Sequence, residues 1–465
     1  MSYWLDILYI VYFSALNGTY ALLIALAMIE IIQRRANRMP EFDNDVLGEA
    51  STPPITILAP AFNEETGIVD SVRAFLQLTY PNLQVIVIND GSSDGTLNKL
   101  KERFELKPIH RVVQRQLETR GIKVIYQSAT DSRLLVVDKE RGGKADALNV
   151  GLNIAQTPLI CAVDSDTLID RRALLRMVEP FLYDRQTMAV GGSVYIANTC
   201  DVKDGLCRTV SLPKSWLARF QIIEYLRAFL FGRLGLNRLG GTMLISGAFG
   251  LFLRDALIEI GGYRRDTVGE DMEMIVRLHR TMRDRKKPFR IKHIPDPVSY
   301  TEAPETVRTL GRQRDRWQRG LAETLAAHQG MFLNPKYGLS GLFTYPTYLL
   351  FELFGPIIEL SGYIWFVYSL IFRGVDPQIA MLYFIVAFLF GTLLSIQSII
   401  LDSYAGNVYQ GFKLRLRLVA VALLEYFGYR QITLYYRIKG FFRYLLGEKS
   451  WGVMTRKGFA KRATS

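Results

Sequence analysis

Val85-Ile86-Val87-Ile88-Asn89-Asp90-Gly91-Ser92-Ser93-Asp94-Gly95 decides the fold of this chain. Its run of β-branched residues favours an extended strand. The Asp and Gly residues that follow make a turn, and Asp94 is placed to cap a helix over residues 94–104. The same rhythm recurs on both sides, with strands expected at 55–59, 134–137, 159–163 and 188–196 and helices at 67–78 and 145–155. Such alternation builds an α/β domain with a mostly parallel sheet, which binds ligands at the C-terminal ends of its strands. Residues 107–132 are basic and poorly periodic and read as an inserted excursion; no internal repeat is visible.

That domain does not account for the whole chain. At 465 residues, with 49% hydrophobic and 12% aromatic residues, the sequence calls for a membrane part beside a soluble core. Residues 4–29 are apolar over a bilayer-spanning length, interrupted only by Asp6, Ser14, Asn17, Gly18 and Thr19. Arg34, Arg35 and Arg38 follow, so the charge rule puts the N-terminus outside and the next domain in the cytoplasm. No cleavable leader pattern is evident, and the segment reads as a retained anchor. Further on, residues 342–372 are apolar but carry Pro346 and Pro356, which should break or kink a helix. Residues 378–401 form a clearer span. Residues 419–436 form a third, costly in lipid because of Glu425 and Arg430. Three crossings here would leave the basic tail outside, against the charge rule, unless the last segment lies in the interface.

The net charge of +13 gathers toward the C-terminus, where Lys413, Arg437, Lys439, Arg443, Lys449, Arg456, Lys457, Lys461 and Arg462 recur beside aromatics. This reads as a tail on anionic headgroups rather than a nucleic-acid surface; a merely solvated tail is the alternative. Cys161, Cys200 and Cys207 have no metal-ligand spacing and imply no disulfide framework, which suits a reducing compartment. The resulting division is an anchor at 1–33, a soluble domain at 50–302, an amphipathic helix within 303–341, a membrane region at 342–437 and a basic tail at 438–465.

Five short stretches carry chemistry. Asp90 at a strand end can accept hydrogen bonds from a base or ribose, or simply make a turn. Asp164 and Asp166, two residues apart after another strand, can hold a hard cation such as Mg²⁺ or Mn²⁺, or serve as a helix cap. Gly142-Gly143-Lys144-Ala145 opens a helix, where a lysine and free N–H groups favour an anion. Asp271, in the first turn after Gly269-Glu270, either complements the helix dipole or acts as a general base for a hydroxyl. Gln313-Arg314-Asp315-Arg316-Trp317 offers an aromatic face for a sugar ring and guanidinium groups for phosphate; a generic interfacial helix would also carry them.

Taken in order, Asp90, Asp164, Asp166, Asp271 and the Gln-x-x-Arg-Trp run at Gln313, Arg316 and Trp317 resemble the processive family 2 glycosyltransferases. This group includes cellulose, chitin, hyaluronan and poly-N-acetylglucosamine synthases. The resemblance runs from Pro54 to Gly320. It implies a Rossmann-like nucleotide-diphospho-sugar transferase (GT-A) domain in which Asp90 and Asp164 contact uridine diphosphate; Lys144, from its own place at a helix start, is read as a substrate-binding residue. It further implies that Asp166 helps hold Mg²⁺ or Mn²⁺, that Asp271 is the base, and that Gln313, Arg316 and Trp317 line the acceptor and diphosphate region. Ser246-Gly247-Ala248 resembles the family's segment beside the acceptor. The implied reaction is inverting transfer from a UDP-sugar, N-acetylglucosamine first and glucose second, onto a growing β-linked polysaccharide. It would take place at the inner membrane and be coupled to export, with room for an accessory export subunit. A single N-terminal span and no appended regulatory domain depart from several better-known members. Two competing readings stand beside it: a non-processive transferase adding one sugar to a lipid carrier or glycan, and a membrane receptor or transporter that binds nucleotide without turnover.

Overall fold

The computed structural model describes residues 2–36, 52–165, 167–196, 198–203, 206–372 and 377–448. Asp166, with Lys449, Arg456, Lys457, Lys461 and Arg462 of the basic tail, lies outside the described residues. The chain divides into two compact units. One comprises the described residues within 52–211 and 242–302, the other those within 2–36, 212–241 and 303–448. Leu212–Gly241 thus belongs to the second unit, although it falls inside the 50–302 range read from the sequence.

The first unit is built on one sheet. Its strands are β1 (Ile55–Ala61), β2 (Leu83–Asp90), β3 (Leu106–Ile109), β4 (Ile122–Ser128), β5 (Leu134–Lys139), β6 (Leu159–Val163), β7 (Leu168–Ile169), β8 (Thr187–Ile196), β11 (Phe249–Leu253) and β12 (Arg290–Thr301). A separate ribbon pairs β9 (Cys200–Lys203) with β10 (Leu206–Val210). Across the sheet the order is β3-β4-β5-β2-β1-β6-β11-β8-β12-β7. Strands β5, β2, β1 and β6 are parallel, as the alternation requires, with Ile57 opposite both Val85 and Cys161. The chain reverses its order of travel at β1, and this puts a crevice at the C-terminal ends of β2, β1 and β6.

Alternate side chains of the parallel strands enter two apolar layers, one on each face. Ile57, Val85 and Val136 pack with the helices Ile68–Leu76 and Ala173–Tyr183 on one side. On the other, Leu58, Ile86 and Val137 pack with the helices Lys144–Ile154 and Glu270–Asp284. A fully buried aliphatic side chain of this kind contributes roughly 1.5–3 kcal/mol relative to exposure. Gly91 and Gly143 adopt φ of +66° and +90°, which L side chains rarely tolerate, and a Cβ on Gly91 would lie 2.9 Å from the Arg141 nitrogen. Asp94 accepts from Thr96 N at 3.0 Å at the start of the helix Thr96–Arg103 and fastens the turn that the sequence placed there.

Two sequence expectations change in this unit. The stretch read as an excursion holds β3 and β4, which extend the sheet antiparallel beyond β5. Cys200 and Cys207, whose spacing implied no disulfide framework, are joined by a disulfide across the β9–β10 ribbon with Cα atoms 5.7 Å apart. A separation of seven residues gives no sign of pairing until a hairpin folds them together.

The second unit is helical. Three of its described helices are long and apolar enough to cross a membrane, Trp4–Ala36, Gly355–Phe372 and Pro377–Tyr404. The chain breaks at Phe354, just before Pro356, and the freed carbonyl of Leu353 accepts from Gln318 Nε2 at 3.0 Å. Residues 419–436 do not form one span. The helix Phe412–Leu424 ends, a turn follows, and Tyr429–Leu445 begins after Gly428 at φ +98°. Glu425 in that turn pairs with Arg227 and accepts from Ser395 Oγ at 3.0 Å, while Arg430 Nε meets Glu359 at 2.7 Å. The charges that made a lipid-exposed span costly are therefore answered inside the unit.

Candidate active site

The site grows from the end of β5. Lys139 shares the inward face of that strand with Leu135 and Val137, is 0% exposed, and carries its ammonium to Asp90 and to Asp146 Oδ2, the latter at 2.8 Å. A buried cation needs such partners, because leaving it unpaired costs several kcal/mol. Asp146 also accepts from Arg120 N at 3.1 Å, while Asp90 accepts from Gly142 N at 2.8 Å and from Gly143 N at 2.7 Å. The N–H groups that sequence reading offered to a ligand anion are thus occupied by Asp90, at the start of the helix Lys144–Ile154. Asp90 stands at the C-terminal end of β2, a strand end as expected, and its carboxylate holds the glycine loop.

This loop aims Lys144 into the crevice. The Lys144 Nζ lies 2.6 Å from Asp164 Oδ1 and 3.4 Å from Glu270 Oε1, and it donates to Gly247 O at 3.3 Å. Burial acts to lower the Lys144 pKa, but Asp164 and Glu270 outweigh it and hold the ammonium above its ordinary range. Asp271 stands in the first turn of Glu270–Asp284, its Oδ2 accepting from Gly247 N at 3.1 Å. The backbone of Asp164 in turn donates to Ala248 O at 3.3 Å. Thus Lys144, Asp164 and Asp271 converge on Ser246-Gly247-Ala248, around a cavity of about 280 Å³ including its open mouth. A side chain at Gly247 would crowd both Lys144 Nζ and Asp271 Oδ2, at 3.0 and 3.3 Å from its Cβ.

The helix bearing Asp271 is itself pinned. His279 is buried in it and donates from Nε2 to Thr242 O at 2.8 Å. Burial pushes the His279 pKa down to about 4, so the ring is neutral in the fold.

Of the remaining expected residues, Gln313, Arg316 and Trp317 lie on the helix Val307–Ala327 of the helical unit. There Gln313 is buried and accepts from Arg314 Nη1 at 2.9 Å. Trp317 is 42% exposed, with the Arg314 guanidinium 4.4 Å from its ring centre. Glu270, Lys139, Asp146 and Tyr263 were not singled out as functional from the sequence. Strand alternation was enough to turn Lys139 inward, and Glu270 adjoins Asp271; Tyr263 carried no signal.

Oxygen-only, anionic donors such as the quarter-exposed Asp164 suit Mg²⁺ or Mn²⁺. No group of three metal-ligating side chains occurs among the described residues, which exclude Asp166.

Comparison with known proteins identifies relatives of the chain. The description "Glycosyl transferase family 2" matches residues 56–261, and "Glycosyl transferase family group 2" matches residues 159–396. The chain is 30% identical over 297 residues to the poly-beta-1,6-N-acetyl-D-glucosamine synthase of Staphylococcus aureus, covering 63% of this chain and 60% of that one. It is 29% identical over 272 residues to the synthase of the same name from Staphylococcus epidermidis, covering 58% and 55%. The matched stretch thus spans about 60% of the length of these curated relatives. Among solved structures, a mannosyltransferase from Pyrobaculum calidifontis, in complex with GDP-Man and Mn²⁺, aligns with a TM-score of 0.53 at 17% identity, covering 95% of this chain and 99% of that one. This likeness shows the fold, the GT-A arrangement that the sequence led one to expect.

Two measurements probe the framework. Lys139→Met leaves Asp90 buried without its cation, while Asp146 keeps Arg265 at 3.3 Å, and should cost about 3–5 kcal/mol, seen as a sharply lower Tm of the purified protein; an unchanged Tm would remove Lys139 as the anchor. For His279 the unfolded ring takes a proton near pH 6.5 and the folded ring near 4, so stability is full above about 6.5 and falls as pH drops toward 4. Tm should decline between pH 7 and 5 in the wild type, and less in His279→Gln, by at most about 1.4 kcal/mol per pH unit of difference.

Proposed function

Because the chain belongs to the family 2 glycosyltransferases, we propose that it transfers N-acetylglucosamine from its uridine diphosphate donor to a growing β-linked polysaccharide at the membrane. The observation that carries this reading is the convergence of Lys144, Asp164 and Asp271 on Gly247 at the switch point of the sheet. The similarity to poly-beta-1,6-N-acetyl-D-glucosamine synthases favours this donor over uridine diphosphate glucose.

In the proposed reaction the acceptor hydroxyl attacks the anomeric carbon of the donor, from the face opposite the diphosphate. Asp271 takes the hydroxyl proton as the new C–O bond forms. The bond from the anomeric carbon to the diphosphate oxygen breaks with its electron pair, and uridine diphosphate leaves; the configuration inverts in one displacement. Lys144 offers its ammonium to the departing diphosphate, and its partners Asp164 and Glu270 keep it charged. Asp164 and Asp166 would hold Mg²⁺ or Mn²⁺, which when bound offsets charge on the leaving group. Asp90 fixes the loop that carries Lys144 and is the candidate for nucleotide contact at the same strand end. Gln313, Arg316 and Trp317 are assigned to sugar and diphosphate contacts, on the chemistry of an indole face beside guanidinium groups.

The three apolar helices support a multi-pass protein of the inner membrane. With the N-terminus outside, two C-terminal crossings return the chain to the side of Arg34 and Arg35, where Lys413, Arg415 and Arg417 also fall. On this reading the catalytic unit and the basic tail share the cytoplasmic side, without the parity conflict of a third C-terminal span. Export of the polymer, with or without an accessory subunit, belongs to this same reading.

Release of uridine diphosphate by detergent-purified protein, with Mg²⁺ or Mn²⁺ and a panel of UDP-sugars, tests the proposal. Turnover with the N-acetylglucosamine donor and products of many sugars are expected; products limited to one added sugar would reject processivity, and donor binding without turnover would point to a receptor. Asp271→Asn should lower kcat by about 10²–10⁴-fold while leaving donor affinity within roughly threefold. Unchanged turnover in that variant would remove Asp271 as the base.

A further inference from the structure

Arg314 stands inside the Gln-x-x-Arg-Trp run but at one of its unassigned positions. It is 2% exposed, and a guanidinium at that depth is costly unless it is paired. Its Nη2 donates to Glu224 Oε2 at 2.7 Å and to the Tyr429 hydroxyl at 3.3 Å, and that hydroxyl donates to the same carboxylate oxygen at 2.5 Å. The Tyr429 ring is stacked on Phe220, with centroids 5.1 Å apart and planes inclined by 24°. Phe220 stands one turn before Glu224 on the helix Trp216–Leu226. One face of one helix and the first residue of another, Tyr429–Leu445, therefore close on a single guanidinium.

An ion pair alone would satisfy the charge of Arg314, but the fixed group also touches the run on both sides. From Nη1 it donates to Gln313 Oε1 at 2.9 Å, and its central carbon lies 4.4 Å from the centre of the Trp317 ring, three residues on and so on the same side of the helix. At 42% exposure Trp317 has little burial to restrict its rotamers. A surface indole that receives a sugar ring loses affinity to its own side-chain freedom. A guanidinium seated against the ring removes that freedom before the ligand arrives. Tyr429 reaches this bracket where the chain turns at Gly428, with φ +98°, and starts a new helix.

We infer that Glu224 and Tyr429 are positioning residues, which act through Arg314 to hold the Trp317 indole ready for the acceptor sugar. The inference rests on the proposed sugar contact of Trp317 and adds the residues that orient it.

Two readouts on the detergent-purified full-length chain test it. The first is acrylamide quenching of Trp317 fluorescence, taken as the difference between each protein and its Trp317→Phe counterpart. Tyr429→Phe and Glu224→Gln nearly keep their shapes, and each should raise the quenching constant of Trp317 by about twofold as the indole loosens. Unchanged quenching in both overturns the bracket, whether or not the preparation turns over. The second is elongation of N-acetylglucosamine oligosaccharides. Each variant should raise the acceptor KM about five- to tenfold, with kcat and donor KM within about twofold of wild type. In a Trp317→Ala background neither substitution should raise it further, because the group they position is gone. An equal rise in that background, or a fall in kcat at unchanged acceptor KM, leaves the two residues a structural role only and overturns the inference. The two variants lie on different helices, so the test stays decisive if one of them folds poorly. Should Trp317→Ala itself leave acceptor KM unchanged, the proposed sugar contact fails and the inference with it. A raised KM in Trp317→Ala, with none in Tyr429→Phe or Glu224→Gln, overturns the inference alone.

Discussion

The ammonium of Lys139 is the constraint on which the site depends. It is carried into the interior by strand periodicity, where a charge is costly unless carboxylates come to it. Asp90 arrives from the neighbouring strand and Asp146 from the helix that follows, so one charge ties together the ends of two strands and the start of a helix. Asp90 then has oxygen left for Gly142 and Gly143, and the direction of Lys144 follows from that loop. Each partner in this chain satisfies a group that would otherwise be buried and unpaired. Local sequence, packing and the chemistry of the site are therefore linked through one cation.

Much of this was legible in the sequence, and what was not has physical causes. Strands β1, β2, β5, β6 and β8 show as β-branched or apolar runs bounded by turn residues, and the helices between them sit within a few residues of their expected ends. β12 was hidden because Pro295 and Pro297 stand inside it, where the pairing with β8 shifts register. β3 and β4 were hidden by their lysines, which face solvent on an outer part of the sheet. Of the candidate site, Asp164, Lys144 and Asp271 were each singled out from position at the end of a strand or the start of a helix, and the fold brings them together. That Asp90 would spend its carboxylate on backbone N–H groups could not be read, because the partner loop lies more than fifty residues away.

In the helical unit, apolar length alone identified the long spans but not where helices stop. The sequence put a single crossing over residues 419–436, whereas Glu425 turns inward to Arg227 and Ser395 and the chain begins a new helix after Gly428. Hydropathy averages over such a turn; an ion pair inside the unit decides it. Pro356 acts in the opposite sense, since its break was expected, and the Leu353 carbonyl left free at that break is answered by Gln318, a neighbour of Trp317 on the same helix.

The order of the large sheet also bears on how the soluble unit avoids its own kind. A long row of unpaired backbone groups would invite a second molecule to add strands and start a fibre. At one margin the sheet ends in the four-residue β3, which contains Lys107 and Pro108; at the other it ends in β7, two residues long. A ten-stranded sheet therefore presents almost no template at either side. The basic, irregular stretch that obscured the fold in the sequence also closes the sheet against uncontrolled growth.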